Sequence, residues 1–397
     1  MVLLLITPVL AIYGNQGGWD YATMITLPLS AMFFIFCVLI SKQGKSFQNP
    51  LPSGLLSYFI YWSLLLVATS VIIPLAPIQI FLSFFLFFSL FDRNYYVKIF
   101  KYFALFCIVV FVLQEISFQV SGIRISGIIP GLPLHDFNDA GWHISEMMSA
   151  ERSSSVFIEP AHFAHFLLPL LAIEMYYDNH KYHYYYAAII VIALLYLRSG
   201  NAIVGMVPIF LLTLPVFSKG SKSKTWGTFL IIALVLVVVG YYYIGSEMGA
   251  ALMERQTELD STYSGGSRSG FLRVWRGIYV YEDYSLWEKL FGCPDSTAQL
   301  NHVVSSGMSM GLSAELYFNA FQKILLNTGI IGVGLFVYIF VKMWRGNSIC
   351  GRAILLSLIV TSFIAAIYMS HTMIVFMLLA ESMKEKYNAP IKTIMKR

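Results

Sequence analysis

The chain has 397 residues, of which 58% are hydrophobic and only 12% are charged. A soluble domain carries about 25% charged residues, so this composition excludes an ordinary soluble protein. The formal charge of +5 is spread over short connections between apolar runs, and it indicates no nucleic-acid partner. The apolar runs are continuous and do not alternate with polar residues, which predicts membrane helices and not the strands of a barrel.

The runs predict an all-α polytopic membrane protein with about 11–12 transmembrane helices, forming a single integral membrane domain over residues 1–397. The last two runs are compatible with one long tilted helix or with two separate spans. In chain order the runs are Val2–Tyr13, Tyr21–Ile40, Leu55–Ile73, Ile78–Phe91, Ile99–Val120, Ala161–Tyr177, Tyr184–Leu197, Ala202–Phe217, Trp226–Gly245, Ala320–Val341, Ala353–Met369 and Thr372–Ala380.

The basic residues are distributed unevenly between the two sides of the predicted membrane. Most of the 26 lysines and arginines fall in the loops of one side and in the C-terminal tail. Loops rich in lysine and arginine face the cytoplasm, so this side is predicted to be cytoplasmic. The basic tail then predicts a cytoplasmic C-terminus, and an even number of spans places the N-terminus on the same side.

Two long loops lie on the opposite, external side, at residues 121–160 and 246–312. Loops of this length that do not have the composition of a linker are usually functional. The second loop contains a predicted amphipathic helix near 268–281, which is expected to lie on the outer leaflet. The apolar positions of that helix recur at helical spacing, and they are Phe271, Leu272, Val274, Trp275, Ile278 and Tyr279.

Several arginines face outward in this topology, against the usual charge bias. They are Arg152, Arg198, Arg268, Arg273 and Arg276. A guanidinium group binds phosphate through two parallel hydrogen bonds and never loses its charge. A set of arginines beside the membrane therefore indicates an anionic lipid headgroup, for instance a diphosphate. Two alternatives remain open, namely salt bridges with acidic residues of the same loops and simple contact with lipid headgroups.

The entry into the sixth run combines charge with a helix start. Ser153–Glu159 is predicted to form a re-entrant or capping segment that leads into a membrane helix over Ala161–Tyr177. Pro160 suits the first turn of a helix, and Glu159 then lies at its positive N-terminus. Glu159 is the candidate general base, with His162 one turn further on. The alternative is a buried glutamate paired with an arginine.

No cofactor or metal ion is predicted. Several possible ligands crowd the first long loop, but their spacing matches no metal site. The chain also lacks a phosphate-binding glycine-rich loop and a nucleophile elbow. The crowded residues are His135, Asp136, Asn138, Asp139 and His143.

Four short segments share a pattern with one family of membrane enzymes. They are the Arg152…Phe157-Ile158-Glu159-Pro160 entry into a span, the Ser199-Gly200-Asn201 turn after Arg198, the spacing of Arg276 and Gly292, and the span that opens with Asn319 and contains Asn327-Thr328-Gly329-Ile330-Ile331-Gly332. Together these segments and the predicted topology resemble the O-antigen polymerase (Wzy-type) proteins of the O-antigen ligase/polymerase superfamily.

The ligases of that superfamily carry a His-Asn pair ahead of the glycine of the last segment. Here the equivalent residues are Phe318 and Asn319. The missing histidine favours a polymerase over a ligase, although His302 in the same loop could substitute for it.

The resemblance implies a GT-C-like membrane fold and a metal-independent glycosyl transfer at the periplasmic face of a bacterial inner membrane. Donor and acceptor would both be undecaprenyl-diphosphate-linked glycans, and a chain-length regulator protein is a possible partner. The competing functions are an O-antigen ligase, a lipid-linked oligosaccharide flippase or other transporter, and a structural membrane protein. The implied catalytic residues are Glu159, Arg276 and His162, and the implied substrate-binding residues are Arg152, Arg198, Arg268, Arg273 and Asn319.

Overall fold

A computed structural model describes residues 2–14, 19–41, 51–69, 75–89, 92–134, 153–157, 159–178, 181–213, 269–309 and 318–384. In these ranges every regular element is a helix, and the few β-bridges are isolated. The helices are α1 Val2–Leu10, α2 Tyr21–Ser41, α3 Leu55–Ala68, α4 Leu75–Ser89, α5 Arg93–Ser121, α6 Pro160–Tyr176, α7 His183–Tyr196, α8 Gly200–Leu211, α9 Ser269–Glu282, α10 Leu286–Phe291, α11 Ser296–Ser305, α12 Ala320–Trp344, α13 Ile349–Thr361 and α14 His371–Ser382.

Three of the described helices are long and apolar enough to cross a membrane, over Tyr21–Leu39, Tyr95–Ser121 and Ala320–Trp344. Several further apolar helices have only 10–17 residues. Such a helix is about 15–26 Å long, less than the roughly 30 Å of a bilayer core. The helical architecture is that of a membrane protein, while the count of 11–12 spans stays a prediction. The predicted span Trp226–Gly245 lies outside the described residues.

Helix α14 forms the centre of the helix bundle. Nearly all of its residues are buried, and it packs against α1, α4, α5, α6 and α13. The Ser370 hydroxyl caps its start by accepting a hydrogen bond from the backbone N–H of Met373. A turn over residues 362–370 separates α14 from α13, so the structure has two helices here and not one long tilted helix. The left-handed backbone of Met369, with φ 51°, ends the turn.

Helices α6, α8 and α13 pack against one another around Gly205. A Cβ atom at Gly205 would lie 2.3 Å from the side chain of Leu168 and 3.2 Å from that of Thr361. The Ser357 hydroxyl donates a hydrogen bond of 3.0 Å to the Gly205 carbonyl. Gly205 is in the second turn of α8 and Thr361 is the last residue of α13. Cys350 at the start of α13 contacts the Ala172 carbonyl near the end of α6, and Tyr176 at the end of α6 donates to the Ile209 carbonyl near the end of α8. The starts of α6 and α8 therefore lie at the same end of the bundle as the end of α13.

A helical cap is formed by α9, α10 and α11, and it packs on the first half of α12. Its small core is separate from the main core and consists of Val280, Tyr284, Cys293, Val303, Phe318 and Leu326. The cap is locked to α12 where that helix kinks at Gly329, which has φ 62° and ψ −170°. The end of α10 and the residue after it pack into the kink, because a Cβ atom at Gly329 would lie 2.3 Å from the carbonyl oxygen of Leu290 and 2.6 Å from the nitrogen of Gly292.

Candidate functional site

The segment Ser153–Phe157 is non-helical and mostly buried. Gln114 of α5 satisfies its backbone, since the side-chain amide donates to the Ser155 carbonyl at 2.9 Å and accepts from the Ser155 N–H at 2.8 Å. The Ser155 hydroxyl donates to the Cys107 carbonyl at 2.7 Å. Irregular backbone is tolerated at membrane depth only where protein groups or water satisfy it. The segment is thus non-helical and leads into α6, while its predicted role as a re-entrant or capping segment stays a prediction.

Arg124 holds the same segment from the other side. Its Nε donates to the Ser153 hydroxyl at 3.0 Å, and its guanidinium carbon lies 3.9 Å from the centre of the Phe118 ring. Glu115 is 3.6 Å away from the same nitrogen. Arg124 is only 4% exposed. Neither Arg124 nor Gln114 was predicted from the sequence to hold this segment. Gln114 lies inside an apolar run, and a polar residue in such a position is a signal for a buried contact.

Glu159 is the N-cap residue of α6, and Pro160 is the first residue of the helix. The Glu159 side chain is half-buried and makes no capping hydrogen bond. Among the described residues no ion pair joins Glu159 to an arginine, so the arginine-paired alternative gains no support there. His162, one turn on, is exposed, whereas His165 is buried with its ring centre 6.4 Å from that of His162.

Arg198 lies at the start of α8, at the same end of the bundle as Glu159. Its backbone is left-handed, with φ 48°, and its side chain is half-buried. Ser199 follows as the N-cap residue, and Asn201 is buried in the first turn of α8. The predicted Ser199-Gly200-Asn201 turn therefore begins a helix.

Arg276 is buried in the cap, with 1% of its surface exposed. Its Nε donates to the Met308 carbonyl at 3.0 Å, and its guanidinium carbon lies 5.3 Å from the centre of the Phe318 ring. Arg276 shares the buried face of α9 with Val280, one turn on, because residues four apart lie on one side of a helix.

A helix begins at Ser269, close to the predicted position. Its apolar residues Trp275 and Tyr279 are exposed, whereas Arg276 is buried. Met308 and Phe318, which contact Arg276, are distant from it in sequence, so helical spacing alone did not reveal this face. Arg276 contacts protein groups, and the proposal of simple contact with lipid headgroups does not hold for it. Whether α9 lies on a leaflet stays a prediction.

Asn319 is the N-cap residue of α12, and both ends of its amide are engaged. The side-chain oxygen accepts from the Gln322 N–H at 2.8 Å, and the amide nitrogen donates to the Phe363 carbonyl at 2.8 Å. The Gln322 side chain in turn donates to the Val274 carbonyl of α9 at 2.7 Å. Asn319 thus links α12 to the turn after α13, and its geometry is that of a capping residue.

The predicted site residues that the structure describes fall into two groups. In the first group, Arg276 contacts the ring of Phe318, the neighbour of Asn319, and Asn319 donates to the turn after α13. The end of α13 lies beside the starts of α6 and α8. Glu159, His162 and Arg198 lie at those helix starts. Arg152, Arg268 and the side chain of Arg273 lie outside the described residues.

The cap also contains a polar cluster, of which only His302 was named from the sequence. His302 contacts Asp283 through Nδ1 at 2.8 Å and Glu288 through Nε2 at 3.1 Å. Partial burial opposes the charged imidazole ring, yet the hydrogen bonds to the two carboxylates outweigh it and raise the pKa of His302. Asp283 lies between α9 and α10, Glu288 in α10 and His302 in α11. Only folding of the cap brings the three residues together.

Comparison with known proteins adds no family assignment. No protein-family model matches the chain, and no curated protein matches its sequence. The functional interpretation therefore rests on the residues of this chain and on their arrangement.

Proposed function

We propose that this protein is a polysaccharide polymerase of a bacterial inner membrane. It transfers a growing undecaprenyl-diphosphate-linked glycan, of the O-antigen or capsule type, onto a new lipid-linked repeat unit at the periplasmic face. The proposal rests on one end of the bundle. There the half-buried Glu159 is the N-cap residue of α6, and the helical cap that contains Arg276 packs on α12. The sequence resemblance to O-antigen polymerases supports the same reaction.

Glu159 is the general base in this proposal. The acceptor hydroxyl oxygen forms a bond to the anomeric carbon of the donor sugar, and its proton passes to the Glu159 carboxylate. The bond between that carbon and the diphosphate oxygen breaks, and undecaprenyl diphosphate leaves with both electrons. His162 is exposed one turn further along α6 and is positioned to pass the proton to water. Anchoring both substrates in one bilayer restricts their relative orientation, which lowers the entropic cost of the transfer.

Arginines stabilise the negative charge that develops on the leaving diphosphate. Fixed cations are most effective where water is excluded, because the charge they stabilise is not screened. Arg198 is half-buried at the start of α8, at the same end of the bundle as Glu159. Arg276 is covered by Phe318, so direct contact with a diphosphate requires the cap to move away from α12.

An O-antigen ligase and a flippase are the competing functions, and they differ from the polymerase in their products. Phe318 stands where the ligases carry histidine, which favours the polymerase. Asn319 is the N-cap residue of α12, a structural role that does not involve the acceptor, so its geometry is compatible with either transferase.

The test is reconstitution of the purified protein with lipid-diphosphate-linked repeat units of its host. A ladder of lipid-linked oligomers without added Mg²⁺ or Mn²⁺ supports the proposal. Transfer of single units to lipid A core indicates a ligase, and movement of units across vesicles without longer products indicates a flippase. Either of these results, or an unchanged substrate with folded protein, contradicts the polymerase proposal.

A further inference from the structure

Three side chains of the cap form a group that is suited to a metal ion. Their ligand atoms, a carboxylate oxygen of Glu288, the thiol sulfur of Cys293 and a ring nitrogen of His302, all lie within 4.8 Å of one another. The three residues are separated along the chain by the loop between α10 and α11 and by the first turns of α11. Their spacing matches no common metal motif, which explains why no metal ion was expected from the sequence.

We propose that Glu288, Cys293 and His302 bind one divalent metal ion of the zinc class. Zinc binds thiolate, imidazole and carboxylate ligands, commonly in tetrahedral geometry. Calcium and magnesium are excluded as preferred ions, because they require oxygen ligands. Three protein ligands leave one coordination position for water. The inference goes beyond the proposed function and does not rest on it.

Asp283 provides an independent sign that His302 is oriented as a ligand. Its carboxylate lies 2.8 Å from Nδ1 of His302, which leaves Nε2 directed toward Glu288 at 3.1 Å. Metal-binding histidines usually donate their second ring nitrogen to a carboxylate, which fixes the tautomer and the ring direction. The Tyr284 ring, whose centre lies 4.6 Å from that of His302, restricts the imidazole further.

The backbone around Cys293 is also held in place before any ion binds. Its N–H donates to the Leu326 carbonyl of α12 at 2.7 Å, and its carbonyl accepts from the Gln299 side chain at 2.6 Å. Cys293 itself is buried. In the capping box at the start of α10, Glu288 Oε2 accepts a hydrogen bond from the Ser285 N–H at 2.8 Å, while Oε1 lies 3.1 Å from Nε2 of His302 and is the oxygen available to an ion.

A metal ion at this position would clamp α10 to α11. The chain between them contains Gly292, which packs against the backbone of Asn327 and Thr328 beside the kink of α12. The ion would therefore stabilise the docking of the cap on α12. Without an ion, His302 is hydrogen-bonded between the carboxylates of Asp283 and Glu288, and a cluster held by these bonds alone is the alternative that the experiment must exclude.

The experiment uses the full-length protein in detergent, stripped with a chelator and titrated with Zn²⁺ against a chromophoric competitor. We expect one tightly bound Zn²⁺ per chain and an increase in the thermal unfolding temperature on binding. Titration with Co²⁺ should add a thiolate-to-metal absorption band and the visible bands of a tetrahedral site. The absence of stoichiometric Zn²⁺ binding by the folded protein would overturn the proposal.

Matched variants locate the ion. Cys293→Ser should abolish the thiolate band and the Zn²⁺-dependent shift, whereas Cys37→Ser, a buried cysteine in α2, should retain both. Asp283→Asn should weaken Zn²⁺ binding by about 10–100-fold, as expected for a residue that orients a ligand. Binding that is equal in the wild type, Cys293→Ser and His302→Gln would place the ion elsewhere. If Cys293→Ser cannot be purified, His302→Gln and the wild-type Co²⁺ spectrum decide the question.

Discussion

Arg276 lies over the ring of Phe318, with its guanidinium carbon 5.3 Å from the ring centre, and its Nε donates to the Met308 carbonyl. The guanidinium group of Arg276 in α9 therefore contacts Met308, in the segment after α11, and Phe318, two residues before α12. A desolvated cation–π contact contributes about 2 kcal/mol. Arg276 therefore links the fold of the cap to its position on the membrane helices, in addition to its proposed role with a diphosphate.

The first prediction concerns the planar shape of this side chain. Arg276→Ala should lower the free energy of unfolding by about 1–3 kcal/mol, because the Met308 carbonyl loses its donor, and it should abolish polymer formation. Arg276→Lys keeps the charge but has no planar fork, so it should restore little activity. Arg345→Ala, at the exposed end of α12, is the control and should behave as the wild type. Normal polymer ladders from Arg276→Ala at normal protein levels would contradict this role.

The second prediction concerns Glu159 as a base. Glu159→Gln keeps the size of the side chain but cannot accept a proton at neutral pH, so the polymerisation rate should fall by about 10²–10⁴-fold. Stability and binding of the lipid-linked substrate should persist, because Glu159 is half-buried and its side chain makes no capping bond. Glu282→Gln, at an exposed position in the cap, serves as the control. Wild-type rates for Glu159→Gln would remove it from the mechanism and make His162 the next candidate.

The third prediction concerns the buried non-helical segment Ser153–Phe157. Gln114→Leu leaves the N–H and the carbonyl of Ser155 buried without their present partner, at a cost of about 1–3 kcal/mol each. The variant should unfold at lower temperature and expose the segment around Ser155 to proteolysis. Gln119→Leu makes the same substitution at an exposed position of α5 and should have little effect. Equal stability of the two variants would show that Gln114 is not essential for holding the segment.

The fourth prediction concerns the kink in α12. Gly329 has a backbone conformation that is nearly restricted to glycine, and a Cβ atom would lie 2.3 Å from the Leu290 carbonyl oxygen. Gly329→Ala should therefore destabilise the docked cap by at least about 1–3 kcal/mol. Gly334→Ala lies in the same helix with nothing within 4 Å of its Cβ, and it should be neutral or stabilising by about 0.5–1 kcal/mol. Thermal unfolding of both variants measures the difference, and similar losses in both would argue against the docking of the cap at the kink.

The fifth prediction concerns topology, which was derived from the distribution of lysine and arginine. A reporter fused after Ser221 should be active only in the cytoplasm, and one fused near Ser264 only in the periplasm. Reporter activity on the same side for both fusions would make the predicted orientation wrong, and the proposed periplasmic reaction with it.

The sequence alone determined the helical membrane class and the position of most helices. Continuous apolar runs such as Leu55–Ile73 and Tyr184–Leu197 require that backbone polar groups be satisfied within the segment, which only a helix can do. The start of α6 was also readable, because Pro160 and Glu159 are local signals that act within one turn. The non-helical segment ahead of α6 could be located, but its partner Gln114 could not.

Only the tertiary structure decided which side chains meet. Arg276 is buried because Phe318 and Met308 cover it, and these residues are distant from it in sequence. The cluster of Glu288, Cys293 and His302 exists because the chain after α10 folds back into the kink of α12. Local patterns record the face and the ends of a helix, whereas long-range contacts depend on how separate elements pack. That packing is the physical reason why the helix of Arg276 was predicted but its buried face was not.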